Sequence, residues 1–112
     1  MNYTTTEQVI GTYLGKPLYQ KTIVFGNKAG LSNPSLSTGI ANVDKMFIDM
    51  AGSQLNDGGL PFPYVHTNLL VIAGCFFNIT SSDATLEMRI GSNSASAMTN
   101  VIITVRYTKT TD

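Results

Sequence analysis

Charge is the first thing this sequence has little of: only 12% of its 112 residues are Asp, Glu, Lys or Arg. That is about half the usual share, so the polar surface has to come from Thr, Ser and Asn. Seven basic residues balance seven acidic ones, which leaves no electrostatic footprint for nucleic acid or an anionic membrane. A nearly neutral, sparsely charged surface favours self-association. A single cysteine excludes an internal disulfide and a Cys-based zinc site. The apolar run from Leu69 to Phe77 covers nine residues, too few to span a bilayer. "MNYTTTEQV" lacks the basic-then-apolar pattern of a secretion signal, so a protein made and folded in a cytoplasm is expected.

What is present reads as strands and turns in one domain, residues 1–112. "KPLYQKTIVF" (16–25) is rich in β-branched and aromatic residues and is closed by "GNKAG". Residues 31–39, "LSNPSLSTG", have the composition of a loop. "IANVDKMFIDM" (40–50) fits a helix through Val43, Phe47 and Met50, and a strand through Met46, Ile48 and Met50. The β-rich surroundings favour strand. "NDGGLPFP" (56–63) is strong punctuation, with residues that tolerate positive φ and two prolines that bar an ordinary central strand. "TLEMRIG" (85–91) alternates, with Leu86, Met88 and Ile90 inward. "VIITVRY" (101–107) alternates too, with Val101, Ile103, Val105 and Tyr107 on one face and Thr104 and Arg106 on a wet one. The run 69–77 needs cover on both faces, from a second sheet or a neighbouring subunit. The expected fold is all-β, an antiparallel β-sandwich or jelly-roll-like domain.

Candidates for chemistry are thin. Cys75 and His66 are the only residues of their kinds and stand nine positions apart, so on one regular strand they would face opposite ways. Cys75 also lies in apolar surroundings that make a thiol inert. His66 alone, without clustered carboxylates, is a poor metal site. A glycosidase needs two opposed carboxylates, and nothing selects a pair among Glu7, Asp44, Asp49, Asp57, Asp83, Glu87 and Asp112. "GG" at 58–59 lacks the lysine and helix of a phosphate-binding loop. No enzyme activity, metal or cofactor is expected. A recognition loop is easier to support: Tyr64, His66 and Asn68 follow the turn that contains Asp57, and aromatic faces with short polar groups suit sugars. The plainer reading has Phe62 and Tyr64 anchoring the loop on the core.

The two ends carry more. "TTEQVIGTYLGKPLYQKTI" and the closing "ITVRYTKTTD" resemble the C-terminal domains of phage and prophage tail proteins, especially those of Gram-positive hosts, a family of tail-fibre, receptor-binding and minor structural proteins. Glu7, Gly11, Lys16, Pro17, Leu18, Tyr19, Lys21 and Thr22 match the family's opening, and Tyr107 through Asp112 match its close. "IANVDKMFIDMAG" and "LPFPYV" match more loosely. Tyr13 stands where the family commonly has Trp, and "YLGKP" is a shortened form of its turn. The resemblance implies a distal receptor-facing domain on a virion fibre or baseplate, homotrimeric, joined through residues 1–8 to an upstream shaft, and binding host-surface polysaccharide or teichoic acid. A structural role in capping, trimerising or decorating is the alternative, and a small envelope hydrolase a distant third. The matched end residues are expected to be structural, with Gly15 and Pro17 setting a turn and Tyr19 packing on Tyr107 across strands.

Overall fold

A computed structural model describes residues 2–28, 35–57, 60–61, 64–66, 71–79, 86–92 and 99–112. These residues form strands and turns, with no helix among them. In chain order the strands are β1 (Gln8–Tyr13), β2 (Lys16–Gly26), β3 (Ser35–Ser37), β4 (Val43–Asn56), β5 (Leu60–Pro61), β6 (Tyr64–His66), β7 (Val71–Ile79), β8 (Leu86–Ser92) and β9 (Val101–Lys109). They make two sheets, β1-β2-β9-β4-β5 and β3-β8-β7-β6. Neighbouring strands run antiparallel throughout. The all-β, antiparallel expectation is met.

The last strand is the middle of the first sheet. Val101, Ile103, Val105 and Tyr107, the apolar face of its alternation, are fully buried. The opposite face is not the wet one the pattern implies. Thr104 is also fully buried. Its hydroxyl donates to the Gly52 carbonyl at 2.7 Å and lies 2.7 Å from that of Thr22. Cover comes from two places. The first residues run onto the sheet, with the Thr4 carbonyl accepting from the Thr22 N–H (2.9 Å) and the Asn2 carbonyl from Gln20 Nε2 (3.3 Å). The second is a wide bulge in β4. Five residue steps from Asp49 to Gln54 oppose two steps of β9, from Thr104 to Ile102. Ser53 closes it, donating to the Asp49 carbonyl at 2.7 Å and accepting from the Thr104 N–H at 3.0 Å.

The β1–β2 hairpin turns on Leu14 and Gly15, both at positive φ (50° and 83°), the signature of a type I′ turn. Gly15 therefore does set the turn, while Pro17 already pairs with Thr12 inside the ladder. Two further expectations are refined. Part of the segment read as a loop, Ser35–Ser37, pairs with β8. The continuous apolar run becomes β7, an inner strand beginning at Val71. Pro61 sits in a two-residue strand at the sheet's edge, the part of a sheet where proline is tolerated.

Candidate functional site

The residues first singled out for recognition fall on both sheets. Tyr64 and His66 belong to β6, an edge strand of the second sheet, paired with Ala73 and Val71. Asn68 lies outside the described residues. Asp57 follows β4 in the first sheet and is held locally, accepting from Gln54 Nε2 at 2.8 Å and from Asn100 Nδ2 at 3.1 and 3.2 Å. These bonds, Gln54 first and Asn100 second, keep its carboxyl below the ordinary carboxylate value. Asp57 thus ties the turn after β4 to the start of β9. His66 and Cys75 fall on different strands. His66 pairs with Val71, four residues before Cys75, which separates them by about 13 Å along the sheet.

The described residues converge at the other end of the first sheet. Here Tyr19 of β2 and Tyr107 of β9 stand opposite each other, with ring centroids 5.6 Å apart and planes 20° from parallel, the cross-strand packing expected of the pair. The buried Tyr107 hydroxyl donates to the Glu7 carboxylate. Lys109 Nζ lies 3.0 Å from the same carboxylate and 4.3 Å from the centre of the Tyr19 ring, a cation–π contact. The Tyr19 hydroxyl donates to Asp112 Oδ2 at 2.7 Å.

Beside this cluster is a cleft of about 320 Å³. Glu7, Lys21, Tyr107, Lys109 and Thr111 line one side, and the loop Gly39–Asn42 forms the other. The loop has a definite shape because its residues permit it. Gly39 and Asn42 take positive φ (72° and 58°), conformations open to Gly and tolerated by Asn. Thr38 Oγ1 accepts from the Ile40 N–H at 3.2 Å, and the Ile40 side chain is buried. The Asn42 carbonyl accepts both the N–H and the hydroxyl of Thr110, at 2.8 and 3.3 Å.

The electrostatics follow from these contacts. Partial burial works against the Glu7 charge, but the Tyr107 hydroxyl and the Lys109 ammonium outweigh it, and the carboxyl sits below its ordinary value. Burial first, then the adjacent Glu7 charge, pushes the Tyr107 phenol up. Asp112 does the same to Tyr19. Lys21, half-buried on β2, attracts Glu7 without bonding to it. It has no hydrogen-bond partner among the described residues.

Two other carboxylates, Asp44 and Asp49, are in ion pairs. Asp44 meets Lys16 at 3.3 Å and Lys45 at 3.5 Å, and Lys16, ahead of any other cause, lowers its pKa. Asp49 meets Arg106 at 3.4 Å. A second hollow of about 250 Å³ lies over the β4 bulge, between Tyr3, Thr22, Gly52 and Ile102. Among the described residues, no three His, Cys, Asp or Glu side chains gather as metal ligands, and no helix is long and apolar enough to cross a membrane.

Period-two spacing puts Tyr19 with Lys21, and Tyr107 with Lys109, on shared faces. That signal was available in the sequence. The register that brings the two pairs together was not. No protein-family model matches the chain, and neither a curated protein nor a solved structure is significantly similar to it.

Proposed function

We propose that this chain is a non-enzymatic receptor-binding domain from the tip of a phage tail fibre or baseplate. On this reading its two sheets are the layers of a sandwich. It acts as a homotrimer that adheres to host-surface polysaccharide or teichoic acid. The observation that carries the reading is the meeting of the two end motifs. Glu7 and Tyr19 come from the opening stretch and Tyr107, Lys109 and Asp112 from the closing one, and they share one bonded cluster. The two stretches that resemble the phage family are thus neighbours in one folded unit. Glu7, Asp44 and Asp57 all have lowered pKa values. Such groups stay ionised near neutrality and are poor general acids. Three weak sites on one fibre would gain avidity from their shared tether.

A structural capping role is the second reading, favoured by apolar side chains left outside. Leu14 is 78% exposed and Val9 64%, with Val24, Met50 and Phe47 also exposed. Light scattering coupled to size exclusion, followed by adsorption to Gram-positive cell envelopes, tests both readings. A mass near three times 12.1 kDa with envelope binding is expected. A trimer that ignores envelopes would favour capping, and a monomer without adsorption would sink the adhesion reading.

A further inference from the structure

We infer that the cleft between β2, the end of β9 and the loop Gly39–Asn42 binds an anionic group carried on a polyhydroxylated unit, a phosphate- or carboxylate-bearing glycan or polyol. The biological ligand rests on the adhesion reading above; the cleft's chemistry does not. Two ammonium groups, Lys21 and Lys109, and one carboxylate, Glu7, line it, leaving one net positive charge. Glu7 is occupied as a holder, accepting from Tyr107 and Lys109, so it fixes Lys109 and does not repel an incoming anion as a free carboxylate would. Lys109 keeps further N–H donors beyond that bond.

Lys21 is the unanswered charge. It stands half-buried on the face of β2 that pairs with the buried Val105, and no described residue accepts from it. No acceptor on the described chain answers this ammonium, and an oxyanion bound in the cleft would supply one. The Asn42 carboxamide and the Thr111 hydroxyl, both exposed at the rim, also have no partner among the described residues. They present the donor and acceptor pairs that hydroxyl groups need. The volume, about 320 Å³, is at the small end for ligand pockets and suits a single sugar or short polyol. The loop is already shaped by the Thr38, Ile40 and Thr110 anchors, so little ordering opposes binding.

The test is a ¹⁵N chemical-shift titration of the whole chain with glycerol 3-phosphate, glucuronate, and uncharged glycerol and glucose, all at one ionic strength. Saturable shifts confined to residue 21, residues 39–42 and residues 107–111 are expected with one or both anions and with neither neutral probe. The two anions separate phosphate from carboxylate preference. Lys21→Met should weaken the binding about tenfold or more, with the rest of the spectrum unchanged, while Lys21→Arg retains it. Equal shifts from neutral and anionic probes, non-saturating shifts, or full affinity in Lys21→Met would overturn the inference. Envelope adsorption separates it from the broader reading. Adsorption that persists in Lys21→Met, with no probe binding, refutes the cleft and spares adhesion. Probe binding without any envelope adsorption does the reverse.

Discussion

Tyr19 and Tyr107 stack directly across the β2–β9 ladder, 5.6 Å between ring centres, and each hydroxyl is committed to a different acid, Asp112 and Glu7 respectively. The pair therefore couples the ends of the chain through both ring faces and phenol groups. Tyr107→Phe keeps the stack and removes the bond to Glu7, with an expected loss of about 1–2 kcal/mol in urea unfolding. Tyr107→Leu loses the stack as well and costs more. Tyr19→Leu is expected to cost less in the Tyr107→Leu background than in the native chain, since the two substitutions remove one shared contact. Strict additivity would show that the stacking contributes nothing.

The buried Thr22–Thr104 pair has a polarity that the geometry fixes. Thr104 Oγ1 has one hydrogen and donates it to the Gly52 carbonyl, so in the 2.7 Å contact between the hydroxyls Thr22 is the donor. Thr104→Val leaves a donor and an acceptor unpartnered at once, with an expected loss of about 2 kcal/mol or more. Thr22→Val orphans only one lone pair and should cost less. Thermal or urea unfolding of the two variants reads the order directly, and the reverse order would mean the hydrogens are placed otherwise.

That same threonine shows where sequence reasoning stops. The alternation in 101–107 correctly placed Val101, Ile103, Val105 and Tyr107 inside, because period two is a property of any strand. It could not say that the other face is covered as well. The cover comes from residues 2–4 and from the β4 bulge, whose four residues 50–53 stand opposite the single residue Ile103 and have no hydropathy signature. The hairpin shows the same division. Gly15 announces a turn, while Leu14 takes a positive φ only because the two-residue loop and the strand twist demand it. For the cleft, Lys21 and Lys109 are separated by most of the chain, and only strand register sets both along one lining.

Gly52 has no room for a side chain. A Cβ there would lie 2.6 Å from Thr104 Oγ1 and 2.5 Å from the Tyr3 ring. Tyr3 is partly exposed on the N-terminal segment and can swing away, but Thr104 is buried and bonded to the Gly52 carbonyl itself. Gly52→Ala is therefore expected to destabilise by about 1–3 kcal/mol and to free residues 2–4, seen as faster amide exchange at Thr22, whose N–H bonds to Thr4. Adding Tyr3→Ala should recover only part of the stability. Full recovery would mean Thr104 is not the obstacle.

Stability should fall at both ends of the pH scale, for separable reasons. Glu7 titrates below its ordinary 4.5 in the folded chain, so its contribution is fully present above about 4.5 and fades as pH drops through the lowered folded value. Asp44 and Asp57, lowered from 3.8, act with the same sign at slightly lower pH. Tyr107 is raised from 10.0 by burial and by Glu7, and Tyr19 by Asp112. Their contributions are complete below about pH 10 and are lost as pH climbs toward the raised values. Urea midpoints measured from about pH 2 to about pH 11 should show both limbs. Glu7→Gln should lower stability at neutral pH and make the acid limb shallower, while Tyr107→Phe should flatten the alkaline limb. An acid limb unchanged in Glu7→Gln would show that Glu7 is no more stabilised as a carboxylate in the folded chain than in the unfolded one. The bond to Tyr107 and the Lys109 pair would then not be what joins the two ends of the protein.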